Sequence, residues 1–127
     1  MSLGEYLGAG AATTKLLLHL NGNSNDSSGN NNNGVDTNIS YSKLYGKFNE
    51  GALFSKTSMI NIPHKDYFNL QSNFTLLAWV YPTSWGSDTS YTTTSMQKDQ
   101  YPGAGRCFTF ALVGQADTGN TGKLRFV

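Results

Sequence analysis

Few side chains in this sequence could do covalent chemistry, and their spacing limits what they could do. There are two glutamates, Glu5 and Glu50. A retaining glycosidase needs two carboxylates flanking the scissile bond at a fixed separation, so paired acids on one strand would be its mark. Glu5 falls in a Gly- and Ala-rich leading segment and Glu50 in a turn flanked by Gly46 and Gly51, and no two acids stand at i, i+2. Nucleophilic catalysis has no better footing. Cys107 sits in RCFTFALV with no histidine placed beside it, and reads as a small buried hydrophobe. As the only cysteine, it cannot form an internal disulfide. His19 lies between leucines in KLLLHL and reads as a core or face histidine, while His64 follows Pro63 in a turn and reads as solvated. Neither belongs to a His/Cys cluster at zinc spacing. The glycines of YPGAGR precede no GK[ST] and open no helix, so they are not a phosphate loop. The chain is expected not to be an enzyme.

Binding chemistry is better represented. Residues 21–35 read NGNSNDSSGNNNNGV, with Asp26 as the one acid and Asp36 directly after. Two readings of these acids stand. As a metal site, Asp26 and Asp36 with neighbouring amide and hydroxyl oxygens would hold calcium, which takes roughly six to eight oxygen ligands. As a turn, Asp26 would accept backbone N–H bonds, as Asx residues do. The stretch lacks the Asp-x-Asp-x-Asp density of a strong loop site. For carbohydrate, aromatic faces that stack on sugars beside planar amides are the usual means. Trp85, Tyr91 and Tyr101, all in the polar segment 83–105, are the candidates. The other reading of Trp85 is a lid over a sheet edge.

The rest of the sequence must position these groups. A chain of 127 residues is one domain's worth and can bury a core without disulfides or metals. Charged residues at 13% are scarce, so Asn, Ser, Thr and Gly must supply the polar surface, as in sheet proteins with long turns. A net charge of +1 with no basic run argues against a nucleic-acid partner. No stretch approaches the roughly 20 apolar residues of a membrane helix, and MSLGEYLGAGAATTK lacks the basic and apolar regions of a secretion signal. The glycosylation-type triplets at Asn25, Asn38 and Asn73 then read as chance products of an Asn- and Ser-rich chain.

Residues 1–14 have no helical or strand period and are expected to form an extended arm, either frayed or docked on a neighbouring chain. From Lys15 the pattern is of short strands: KLLLHL (15–20), ISYSKLY (39–45), a short apolar run in GKFNEGALFS (46–55), and SMINIP (58–63). DYFNLQS (66–72) reads as a compact turn. In NFTLLAWVYP (73–82) both alternating rows are apolar or aromatic, which predicts a central strand covered on both faces. A short strand around Thr92–Met96, then RCFTFALV (106–113) and GKLRFV (122–127), complete the list. No run of a dozen residues carries a helical stripe, so an all-β sandwich or barrel is expected. Its expected core includes Leu16, Leu18, Phe54, Phe74, Trp79, Val80, Phe108 and Phe110.

Three of these stretches, in order, resemble one family. KLLLHLNGN…DSSGNNNNG resembles the opening strand and turn of laminin G-like domains, in the concanavalin A-like jelly-roll superfamily. GKFNEGALF resembles the next element, and INIPHKDYFNLQSNFTLLAWVYP the one after, with its F-T-x-x-x-W-V-x-P at Phe74, Thr75, Trp79, Val80 and Pro82. The resemblance runs from about Lys15 onward, so 15–127 is expected to be one laminin G-like antiparallel β-sandwich. Relatives of this kind often bind one calcium at the sandwich rim. They usually continue with further strands, so the resemblance implies either a fragment or a sandwich closed by another chain. An open sheet edge favours association. Such modules occur in phage structural proteins, and the implied role is a non-catalytic virion decoration or tail module, assembled through the arm and open edges, with host-glycan contact. A carbohydrate-binding module cut from a larger secreted, extracellular protein or glycoside hydrolase is the alternative.

Overall fold

The computed structural model describes residues 14–70, 73–83, 92–99, 106–113 and 124–126. The chain divides into two compact units, Met1–Lys65 and Asp66–Val127. Among the described residues the regular structure is seven strands and one 3₁₀ turn, and every strand pairing is antiparallel. The protein is all-β.

In the first unit, β1 (Val35–Thr37) pairs with β4 (Met59–Asn61), and β2 (Ser40–Ser42) pairs with β3 (Gly51–Leu53). One pair is thus nested in sequence within the other. Asn38 makes the step from β1 to β2 at φ 51°, a left-handed conformation that Asn tolerates better than most residues. The β2–β3 connection starts with a turn in which Tyr45 N–H donates to the Ser42 carbonyl at 3.1 Å and Leu44 N–H to Ser42 Oγ at 3.2 Å. The register sets Asp36 opposite Ile60 and Tyr41 opposite Ala52. β2, β3 and β4 fall inside three of the predicted runs and are shorter than them, whereas β1 lies outside every predicted strand.

KLLLHL differs from its prediction. It forms a single antiparallel bridge, Leu18 to Asp26, extended by the Ser27 N–H bond to the Leu17 carbonyl at 2.8 Å. Its neighbour is the polar loop after it, which satisfies the backbone with side chains instead of a ladder. Leu16 and Leu18 are consequently half-buried. Two glycines shape that loop for different reasons. Gly29 has φ +88°, which L side chains rarely adopt. At Gly34 the limit is space, because a Cβ would stand 2.5 Å from Ile60 Cγ2 and 2.6 Å from Ser24 Oγ.

The second unit opens with the 3₁₀ turn Asp66–Phe68, where the rings of Tyr67 and Phe68 meet edge-on at 4.9 Å. Its sheet is a meander, β5 (Thr92–Asp99), β6 (Arg106–Val113) and β7 (Leu124–Phe126), in that spatial order. β6 coincides with the predicted run, and β5 continues past the expected Met96 to Asp99. Thr109 and Ala111 are buried, while Phe108 and Phe110, at the alternate positions, are half-buried. Phe110 stands opposite Met96 on one side and Phe126 on the other. The Phe74 ring lies 5.8 Å from Phe108 and 6.0 Å from Phe126, so an aromatic cluster forms on this sheet.

The expected central strand over 73–82 is corrected here. Residues 73–83 enter no strand ladder, and Trp79 is 71% exposed and Tyr81 86%. Phe74 and Val80, also expected in the core, are exposed as well. A strand buried on both faces needs ladder neighbours and two covering layers, and the sheet described in this unit meets the segment through Phe74. Phe54 is likewise exposed rather than core, because it follows Leu53, the last paired residue of β3.

Candidate functional site

Among the described residues of the first unit, side-chain hydrogen bonds converge on the loop at residues 21–35. Its centre is Asp26. Oδ1 accepts the N–H of Leu17 at 3.0 Å and of Ser28 at 2.9 Å, and Oδ2 accepts Asn32 N–H at 2.9 Å and the Ser28 hydroxyl at 2.8 Å. The Asp26 N–H itself donates to Asn33 Oδ1 at 2.8 Å. Partial burial would raise the Asp26 pKa. The N–H groups of Leu17, Asn32 and Ser28 and the Ser28 hydroxyl outweigh that, and the carboxyl titrates below its ordinary 3.8.

Asn32 completes the arrangement. Its side chain is 1% exposed and donates to the Lys15 carbonyl at 2.7 Å, so among the described residues of this unit the best-buried side chain is an amide. Asn30 Nδ2 reaches the Thr14 carbonyl at 2.9 Å. Amides and one carboxylate therefore tie residues 14–17 to the loop. A buried amide is stable when its donors and acceptors are met, and a backbone carbonyl left by a missing ladder is a suitable acceptor. Sequence reading singled out Asp26 but not Asn32, since nothing in NNNN marks which of four amides turns inward.

Asp36 centres a second cluster. Its Oδ1 accepts the Ser24 hydroxyl at 2.5 Å and its Oδ2 the Tyr41 hydroxyl at 2.6 Å. Ser24 is buried, at 4% exposure, and its carbonyl accepts Gly34 N–H at 2.8 Å. The cluster joins the loop, β1 and β2. Burial, followed by the bond to the Asp36 carboxylate, pushes the Tyr41 phenol up to about 12.

These contacts bear on the calcium that the resemblance implies. A hard cation needs open oxygen lone pairs. Both oxygens of Asp26 and both of Asp36 already face N–H or O–H donors. Among the described residues no group of three or more His, Cys, Asp or Glu converges. As arranged, Asp26 has no oxygen lone pair left for calcium, and Asp36 alone falls short of the roughly six to eight oxygens that ion takes.

In the second unit, Asn73, Phe74, Leu76, Phe110 and Phe126 line an open groove of about 450 Å³. Its walls are mostly aromatic, with Asn73 as the polar member. The candidate sugar-stacking residues Trp85, Tyr91 and Tyr101 lie outside the described residues, as do the arm before Thr14 and the Cys107 side chain. His19 and His64 are exposed, and Glu50 N–H donates to Asn21 Oδ1 at 3.2 Å. Among the described residues no helix is long and apolar enough to cross a membrane.

Comparison with protein-family models, with curated proteins and with solved structures finds no match to this chain in any of the three.

Proposed function

We propose that this protein is a non-catalytic β-sandwich module of the laminin G-like, jelly-roll type that works by assembly into a virion as a decoration or tail component. Contact with host-surface glycans accompanies that role. The all-β architecture and the ordered series of KLLLHLNGN, GKFNEGALF and F-T-x-x-x-W-V-x-P stretches support the class. One observation carries the assembly reading. Residues 73–83 contain no charged side chain, yet Leu77, Trp79, Val80 and Tyr81 are exposed. An uncharged apolar run left open to water favours association with another chain. The proposed partner is a second copy or another subunit of the same particle.

Sedimentation velocity over a range of concentrations tests this. Self-association that Trp79→Ser weakens is expected, and a chain that stays monomeric at every concentration and binds no particle subunit overturns it. A second reading, a carbohydrate-binding module, is favoured by exposed Trp79 and Tyr81 two residues apart, since exposed aromatic side chains are the usual means of stacking on sugars. A glycan array separates the two: strong sugar binding by a monomeric chain supports the module.

A further inference from the structure

The loop contains two Asn-Gly pairs, Asn21–Gly22 and Asn33–Gly34, and the structure treats them oppositely. This pair of residue types has an intrinsic reaction with water. The glycine nitrogen attacks the asparagine side-chain carbonyl carbon, forming an N–Cγ bond. The Cγ–Nδ2 bond then breaks, and ammonia leaves with the proton given up by the glycine nitrogen. The resulting succinimide takes up water and opens to aspartate or isoaspartate. No oxidant or cofactor is needed. The reaction requires a glycine N–H free to lose its proton, a side-chain amide free to swing onto it, and stabilisation of the charge gathering on Oδ1.

Asn33–Gly34 fails the first of these conditions outright, while a backbone N–H meets the side-chain amide oxygen at both pairs. Gly34 N–H is held by the Ser24 carbonyl at 2.8 Å and Asn33 Oδ1 by Asp26 N–H at 2.8 Å. Ile60 and Ser24 close the space beside Gly34. At Asn21–Gly22 both residues are exposed, and Gly22 N–H donates to no acceptor among the described residues. The amide oxygen of Asn21 accepts Glu50 N–H at 3.2 Å, a donor aimed where negative charge would develop. A Glu50 carboxylate oxygen lies 3.2 Å from where a Cβ on Gly22 would stand, which makes it a base close to this glycine. The backbone is also held in unusual conformations here, with Leu20 at φ 58° and Gly22 at φ 76°.

We propose that Asn21 is a site of spontaneous, Glu50-assisted deamidation, and that the hydrogen bonds of Asn33 and Gly34 protect the second pair. The product at position 21 puts a negative charge where the amide oxygen accepts Glu50 N–H, next to the start of β3.

The test is incubation of the full chain at mildly alkaline pH, followed by peptide mapping with isoaspartate detection. Conversion of Asn21 at least about tenfold faster than Asn33 is expected in the folded chain. In urea the two rates should converge, because both depend there on the same local sequence chemistry. Comparable rates in the folded chain overturn the proposal. Glu50→Gln should slow Asn21 while leaving Asn33 slow, with Asn33 reporting that the variant is still folded. An unchanged Asn21 rate in that folded variant overturns the part assigned to Glu50.

Discussion

At the scale of single residues, Asp26 does what a capping or turn carboxylate does, with more donors than one turn provides. Four donors from three residues meet its two oxygens. Hydrogen bonds to a charged acceptor are worth more than neutral ones, and removing the acceptor leaves the donors of Leu17 and Asn32 without it in a partly buried place. Asp26→Ala should therefore lower stability by about 2–3 kcal/mol, read as a shift of the urea midpoint at neutral pH. The same contact makes stability depend on acid. The folded carboxyl titrates below the ordinary 3.8, so its contribution is complete above that value and is lost as pH falls through the lower folded value. Asp26→Ala should remove that part of the acid sensitivity. A variant as stable as the parent and equally acid-sensitive would show that the carboxylate is incidental.

At the scale of elements, legibility in the sequence followed whether a segment's neighbour could be read as well. RCFTFALV became β6 at its predicted bounds, because alternating residues with aromatic partners fix a central strand largely by themselves. NFTLLAWVYP has a stronger apolar pattern yet enters no ladder, since pattern says that a segment can be buried and not what will cover it. The loop at 21–35 went the other way. Its composition left a turn and a metal site both open, and its order comes from which amide points inward, a choice fixed by the backbone at Lys15 and Leu17. Asp26 could be read as its pivot because it was the one acid; Asn32 could not be told from its neighbours. β6 carries a further consequence. Thr109 is buried, and its hydroxyl finds no hydrogen-bond partner among the described residues. Burying an unpaired hydroxyl costs free energy that a methyl of similar size does not. Thr109→Val should raise stability by about 1 kcal/mol, visible as a higher thermal midpoint. A lower midpoint would mean that the hydroxyl has a partner after all.

At the scale of the whole molecule, the two units differ in what accompanies their strand ladders. Among the described residues of Met1–Lys65 the best-buried side chains are Ser24 and Asn32, and beside the β1–β4 and β2–β3 ladders its contacts run through the carboxylates of Asp26 and Asp36. In Asp66–Val127 the contacts described are ladder hydrogen bonds of β5, β6 and β7 and the rings of Phe74, Phe108 and Phe126. Acid acts on these differently. Protonating a carboxylate removes an acceptor from N–H and O–H donors, whereas aromatic packing and strand ladders hold no proton. Local opening is governed by the free energy of each cooperative region, so the two units need not open together. Hydrogen exchange across an acid series measures this directly. As pH falls below the ordinary carboxylate range, the amides of Leu17, Ser27, Asn32 and Gly34 should lose protection first. Those paired between β5 and β6 should keep theirs to lower pH, and Asp26→Ala should expose the first group already at neutral pH while leaving the second unchanged. Simultaneous loss in both sets would mean a single cooperative unit, and would refute the division of labour between carboxylate contacts and aromatic packing.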